Sequence, residues 1–195
     1  MVDPALQDPV APARWTAEQY LRLVDRGVLG PDDRVELLEG VIVSMAPQNV
    51  PHAAGVMRAT HVLTLAVADR AVVRPQLSFI AGKYSVPEPD LAVIAGGLDA
   101  CDQAHPRDAL LIVEVSDSSL KQDRLTKAPM YAAAGLPEYW IVNLRDGVVE
   151  VRRDPEPKQR RYRSIAIRRR GDSIEPVALP GVRIAVHDLL PRGCP

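Results

Sequence analysis

Phenylalanine occurs once in this 195-residue chain and tryptophan twice, and aromatic residues make up only 4 % of it. The core therefore cannot rest on ring packing and must come from Val, Leu, Ile and Ala, which a hydrophobic content of 47 % supplies in quantity for one domain. Cysteine is almost as scarce. Cys101 and Cys194 lie far apart without metal-ligand spacing, so neither a disulfide scaffold nor a cysteine-based metal site is expected. No apolar run approaches the length that spans a bilayer. The opening Met1-Val2-Asp3-Pro4 has no basic segment and no apolar stretch, so a cytoplasmic protein without signal peptide or membrane contact is expected. Nor is there an excess of either charge, the formal net being −1. The distribution is uneven, however, with ten Lys and Arg against four Asp and Glu between Arg145 and Arg170. Such a stretch faces either nucleic acid phosphates or solvent, and charge alone favours a solvated, Arg-rich hairpin face.

Residues 1–14, rich in Pro and Ala, are expected to form a mobile tail ahead of a single domain over residues 15–190. Thr16 and Gln19 have the spacing of a capping box and open a helix that Gly27 closes. Val35 to Met45 reads as a hairpin turning at Gly40. A second helix starts at His52 and runs to about Arg70, with Val56, Ala59, Leu63, Ala66 and Val67 at helical spacing. Val72-Val73 and Leu77 to Ile80 read as a strand pair. Two continuous apolar strands follow, at Asp90 to Ile94 and at Ala109 to Ser116. A helix from Ser119 to Ala134 ends at Gly135, and a strand at Glu138 to Asn143 comes next. This strand–helix–strand order predicts two parallel neighbours joined by a right-handed crossover. Further strands are expected at Val148 to Val151, Arg161 to Arg169 and Val182 to Val186. The fold class is therefore a mixed α/β architecture, a central mixed sheet flanked by helices with a C-terminal β-hairpin.

Two carboxylates stand out against this frame. Asp90 begins one apolar strand just after Pro89, and Glu114 interrupts the most hydrophobic strand of all. A buried strand gains nothing from an ionised carboxylate, which costs several kcal/mol or more to desolvate unless something pairs with it. Asp90 alone would also suit a turn or cap, and Glu114 a buried ion pair. A divalent metal is another partner, and two carboxylates with a lysine suit metal-assisted phosphodiester hydrolysis. Asp123, Lys127 and Tyr131 are spaced i, i+4, i+8 on the next helix and share a face, although a solvated Asp123–Lys127 pair has the same spacing. Pro129 places an irregularity beside Lys127 that turns its amine toward the strand ends. Glu36 and Glu39 flank the first hairpin strand and point to opposite sides, and Glu36 is the better placed of the two. His52, at a helix start, suits a supporting or proton-transfer role.

Several segments taken in order carry a resemblance. They are Trp15-Thr16-Ala17-Glu18-Gln19-Tyr20, Val35-Glu36-Leu37-Leu38-Glu39-Gly40, His52, Pro89-Asp90-Leu91-Ala92-Val93-Ile94 and Val113-Glu114-Val115-Ser116. Asp123, Lys127, Tyr131, Gly135 and Glu138-Tyr139-Trp140-Ile141-Val142 continue the series. Over about residues 15–190 the chain resembles the Uma-type "putative restriction endonuclease" family, a bacterial branch of the PD-(D/E)XK nuclease-like superfamily. The resemblance implies a restriction-endonuclease-like fold, Asp90 and Glu114 as ligands of Mg²⁺ or Mn²⁺, and Glu36 as a further acidic site residue. In the superfamily's motif a lysine stands two residues after the second carboxylate. Here that position is Ser116, and the lysine matches Lys127 on the following helix, with Lys121 as a competitor. Ser116, Asp123, Tyr131 and His52 would then support the site. The implied activity is metal-dependent cleavage of DNA, for which a homodimer would suit two-strand cutting. Two other functions are compatible with these residues, a catalytically silent binding or oligomerisation module and metal-dependent chemistry on some other phosphate substrate.

Overall fold

The computed structural model describes residues 13–193. Most of the expected tail thus lies outside the described residues. Arg14, at its end, is held in place, its guanidinium 4.3 Å from the centroid of the Tyr84 ring and 3.5 Å from Glu39.

Helix α1 (Ala17–Asp25) opens on the expected capping box, in which the Thr16 hydroxyl accepts from the Gln19 N–H and the Gln19 side chain accepts from the Thr16 N–H. β1 (Val35–Leu38) and β2 (Val41–Ser44) form a separate antiparallel hairpin, turned by Glu39 and Gly40, both at positive φ. The long helix α2 (Val50–Val67) is capped by Asn49, whose side chain accepts from the His52 N–H. The remaining strands of the main sheet are β3 (Ala71–Pro75), β4 (Leu91–Ala95), β5 (Leu111–Ser116), β6 (Glu138–Asn143), β7 (Val148–Glu156) and β8 (Arg161–Arg169), in that spatial order. β5 and β6 run parallel and the other neighbours antiparallel, so the predicted crossover joins β5 to β6 and the C-terminal hairpin is β7–β8.

Period-two alternation sorts the sheet into two faces. Leu111, Val113 and Val115 of β5, with Trp140 and Val142 of β6, pack against Val56, Ala59, Leu63 and Val67 of α2. Ile112 of β5, with Tyr139 and Ile141 of β6, meets Met130, Tyr131 and Ala132 on the opposite face. Glu114 shares the parity of Ile112 and so projects toward this second face. α2 lies close to β5 because residue 55 is glycine: a Cβ there would sit 2.7 Å from Val115 Cγ1. A smaller cluster of Ala17, Tyr20, Leu37, Ile80 and Val86 ties α1 and the first hairpin to the body.

Two expectations need correction. Leu77 to Ile80 is not a strand and does not pair with β3. Gln76, at φ 51°, turns the chain out of the β region, and β3 pairs with β4 instead. Val182 to Val186 contributes only the two residues of β10 (Ile184–Ala185), paired with β9 (Ser173–Ile174), before helix α5 (Val186–Leu189) begins. The helix after β5 carries the irregularity expected beside Pro129, in the form of a π turn. It runs through α3 (Leu120–Gln122), a π-helical turn (Asp123–Lys127) and α4 (Ala128–Ala133). The Ala128 N–H bonds to the Asp123 carbonyl, an i→i+5 bond one residue before Pro129. Pro129 has no N–H of its own and its ring would crowd the preceding turn, and the widened π turn relieves that conflict without ending the helix. No helix among the described residues is long and apolar enough to cross a membrane.

Candidate active site

Asp90 directly precedes β4, and the pairing of Leu91 with Val113, carried one step further, puts it opposite Glu114. The two carboxylates are interlocked through the main chain. The Asp90 N–H donates to Glu114 Oε2 (3.3 Å), and the Val115 N–H donates to Asp90 Oδ2 (2.8 Å). Because β4 and β5 are antiparallel, the start of one and the end of the other fall at the same edge of the sheet.

The helix after β5 completes the arrangement. Glu114 Oε1 accepts from Lys127 Nζ and from the Tyr131 hydroxyl, each at 2.9 Å. Lys127 Nζ also lies 3.7 Å from Glu36 Oε2, which reaches in from β1. Ser116 and Ser119 both donate to Asp123 Oδ2, so the hydroxyl at the position of the missing lysine holds the carboxylate one turn before Lys127. His52 Nε2 stands 3.2 Å from Asp90 Oδ2. All eight residues singled out from sequence, Glu36, His52, Asp90, Glu114, Ser116, Asp123, Lys127 and Tyr131, therefore converge. Glu39 and Lys121 do not join them. Glu39 pairs with Arg14 and Arg160, and Lys121 is exposed on α3.

Four supporting residues escaped the sequence reading. The Gln76 amide donates to Asp90 Oδ1 at 3.4 Å, the Glu88 N–H donates to Glu36 Oε2 at 3.3 Å, and Asn49 donates to Asp117 at 2.5 Å while capping α2. The fourth is Ser119. Its i, i+4 relation to Asp123 was a readable signal, as was the Asn-x-Pro start of α2. Nothing in the sequence pointed to Gln76 or to a main-chain donor at Glu88.

The electrostatics are dominated by crowding of like charge at low exposure. Glu114 is 3 % exposed, Glu36 4 % and Lys127 7 %. Burial pushes the Glu114 carboxyl up to about 8. Lys127 opposes that shift, and Asp90, Asp123 and Glu36 add to it. Burial likewise raises Glu36 and Asp123, again against Lys127. For Lys127 burial works against the charge, but Glu114, Glu36 and Asp123 outweigh it and hold the ammonium well above the ordinary lysine range. The hydrogen bond to Asp90 raises His52. These groups line one cavity of about 730 Å³, in which four clustered carboxylates face a single buried ammonium.

That imbalance favours a further cation. Among the described residues no three His, Cys, Asp or Glu side chains are grouped to hold a metal by themselves. Two carboxylates at the sheet edge nevertheless fit a hard cation of the Mg²⁺ type, which binds through oxygen, uses one or two protein carboxylates and keeps several of its waters. Five of the ten basic residues in the stretch near the C-terminus are ion-paired elsewhere. Arg152 pairs with Glu150, Arg153 with Glu138, Arg160 with Glu39, Arg161 with Glu156 and Arg163 with Asp154.

The chain matches the Uma2 family model, described as "Putative restriction endonuclease", over residues 17–187. It belongs to this family. Among solved structures it is similar to a "putative nuclease belonging to DUF820" from Anabaena variabilis, at TM-score 0.71 and 17 % identity, with 91 % of this chain and 97 % of that one covered. At that identity the likeness speaks for the fold alone. No curated protein matches the chain. The Uma2 match extends from the start of α1 into α5 and so includes every residue of the cavity described above.

Proposed function

We propose that this Uma2-family protein is a metal-dependent endonuclease that hydrolyses DNA phosphodiester bonds. One observation carries the reading: Asp90 and Glu114, interlocked at one sheet edge, share a cavity with a lysine whose amine is 2.9 Å from Glu114. Asp90 and Glu114 would hold Mg²⁺ or Mn²⁺, and the ion, when bound, would supply Lewis acidity toward a phosphate oxygen and toward water.

The remaining work falls to the chain itself. The Lys127 ammonium orients the attacking water or offsets charge developing on the phosphate, in a site dry enough for that charge to count. Glu36 keeps the ammonium directed inward, as does Asp123, itself fixed by Ser116 and Ser119. Tyr131 sets the orientation of Glu114, and His52 that of Asp90. A homodimer belongs to the same reading, two-fold pairs being the commonest symmetric assembly of soluble chains.

The test is a calorimetric Mn²⁺ titration of the wild type, Asp90→Asn and Glu114→Gln, with folding checked by circular dichroism, beside a plasmid-nicking assay in Mg²⁺. Metal binding and nicking that both vanish in the two folded variants are expected. DNA binding with no nicking under any divalent metal would favour the silent module, a reading kept open by Ser116 at the motif's lysine position.

A further inference from the structure

Not all of the cavity is polar. α1, the segment after it and the segment after β2 contribute Val24, Leu29, Pro31, Met45 and Pro47 to its lining, opposite in character to the carboxylate cluster. Val24 is 42 % exposed, and among the described residues nothing covers it. Beside this apolar surface stands Arg34, exposed, at φ 42°, a backbone conformation that a non-glycine residue adopts at a cost. Arg34, Lys127 and His52 supply the basic side chains of the lining, and while Lys127 and His52 each pair with a carboxylate, Arg34 forms no ion pair among the described residues. One cavity thus brings together the carboxylate–lysine cluster, an arginine without an ion pair among the described residues, and an apolar wall.

We propose, building on the nuclease reading, that the strand bound at this site is unpaired: its scissile phosphate lies at Asp90, Glu114 and Lys127, its neighbouring phosphate meets Arg34, and the flanking base rests on the Val24–Leu29–Met45 surface. Three arguments support this. A base inside a duplex presents no free face to an apolar wall, whereas an unpaired or extruded base does, and stacking or packing of that face is the usual means of holding it. A volume of about 730 Å³ is in the range of small-ligand pockets, so the apolar wall and the almost fully buried reacting groups can be reached together by one or two nucleotides of a strand. Finally, duplex binding draws on many phosphate contacts. Here five arginines of the basic stretch are already paired with carboxylates and the chain as a whole is slightly acidic.

The test compares three labelled DNA probes of one sequence, a single strand, a blunt duplex and a duplex with an unpaired tail, by fluorescence anisotropy in Ca²⁺ and by cleavage in Mn²⁺. The single strand and the tailed duplex are expected to bind at least tenfold more tightly than the blunt duplex. Their affinity should fall only shallowly with salt, as for one or two neutralised phosphates. Met45→Glu and Val24→Glu, each shown folded and still able to bind Mn²⁺, should each weaken single-strand binding at least tenfold, and Arg34→Ala should flatten its salt dependence. Equal or tighter binding of the blunt duplex, or wall variants that bind the single strand as well as wild type, overturns the proposal. So does a single strand that binds nowhere below 100 µM. Cleavage of duplex but not single strand refutes the unpaired-strand reading and leaves the nuclease reading standing. Selective single-strand binding without cleavage of any probe does the reverse.

Discussion

If Asp90 and Glu114 take a divalent cation, the affinity must depend steeply on pH, because the cation and a proton compete for Glu114. Burial places that carboxyl at about 8, with Lys127 resisting the rise. At pH 6 it is then almost wholly protonated, at pH 8 half so, and above pH 9 ionised. A ligand that binds only the ionised form should gain about 50-fold in apparent affinity between pH 6 and pH 8, and little beyond pH 9. The same coupling requires release of about 0.9 proton per ion bound at pH 7. Glu36 and Asp123 are raised as well, and any share they take adds to this release. Without metal the sign reverses for stability. The folded pKa of Glu114 lies above the unfolded one, so its contribution is complete below about pH 4.5 and is lost as pH rises through about 8. The apo protein should weaken over that window, and Mn²⁺ should restore it most at the alkaline end. Calorimetry in two buffers of different ionisation enthalpy measures the proton release directly. A Mn²⁺ affinity that is flat from pH 6 to pH 8, with no buffer dependence of the heat, would refute the assignment of Glu114 as a buried ligand.

Other perturbations follow from the same geometry. Lys127→Ala should lower any cleavage by about 10²–10⁴-fold while leaving Mn²⁺ binding; it should also cost about 3–5 kcal/mol above pH 8, and less at pH 6 where Glu114 is neutral, as read by urea melts at both pH values. Gly55→Ala places a methyl 2.7 Å from Val115 Cγ1. It should therefore destabilise by about 1–3 kcal/mol of overpacking, less the ~1 kcal/mol of helix propensity it gains, and equal or greater thermal stability would contradict the close α2–β5 contact. Glu150, 2 % exposed, accepts from Arg124 of the π turn and from Arg152. Although burial opposes its charge, the two arginines hold its carboxyl below the usual range, so its contribution is present above about pH 4.5 and lost as pH falls through the lower folded value. Glu150→Gln should cost about 2–3 kcal/mol at pH 7, in a gap to wild type that closes in acid.

The parts of this fold legible in sequence were those where local chemistry and long-range packing agree. Thr16 and Gln19 need only each other to start α1, and the largely apolar runs of β4, β5 and β6 are as buried as such runs imply. Asp90 and Glu114 were conspicuous because a carboxylate in such a run is costly, which made the centre of the cavity readable one residue at a time. The parts that failed depend on distant partners. Leu77 to Ile80 has strand-like composition, but the left-handed Gln76 and the bond from the Phe79 N–H to the Pro87 carbonyl commit it to an irregular loop. Val182 to Val186 alternates like a strand yet folds into α5 after two paired residues, its apolar side chains joining the α2 face of the sheet. Pro129 announced an irregularity without saying which. The π turn both relieves the conflict at Pro129 and carries Lys127 and Tyr131 onto Glu114.

That π turn bears on why Ser116 can stand where the superfamily motif has lysine. Residues 114 and 116 share one side of β5, so a lysine at 116 would bring its amine beside Glu114 from the strand. Here the amine arrives from the helix, and the strand position carries a hydroxyl that secures Asp123, the first residue of the turn that presents Lys127. On the proposed reading, serine and migrated lysine are two halves of one arrangement. Ser116→Lys in the wild type should gain nothing, because it crowds a second ammonium into a fully buried position and releases Asp123. In a Lys127→Ala background the vacated space admits the new stem, and Asp123 gains an ammonium in place of the lost hydroxyl. The double variant should recover cleavage at least tenfold over Lys127→Ala alone, about 1.4 kcal/mol of transition-state stabilisation. A folded, Mn²⁺-binding double variant no more active than the single one would show that the helix contributes more than a place for the amine. The π turn itself would then belong to the catalytic arrangement.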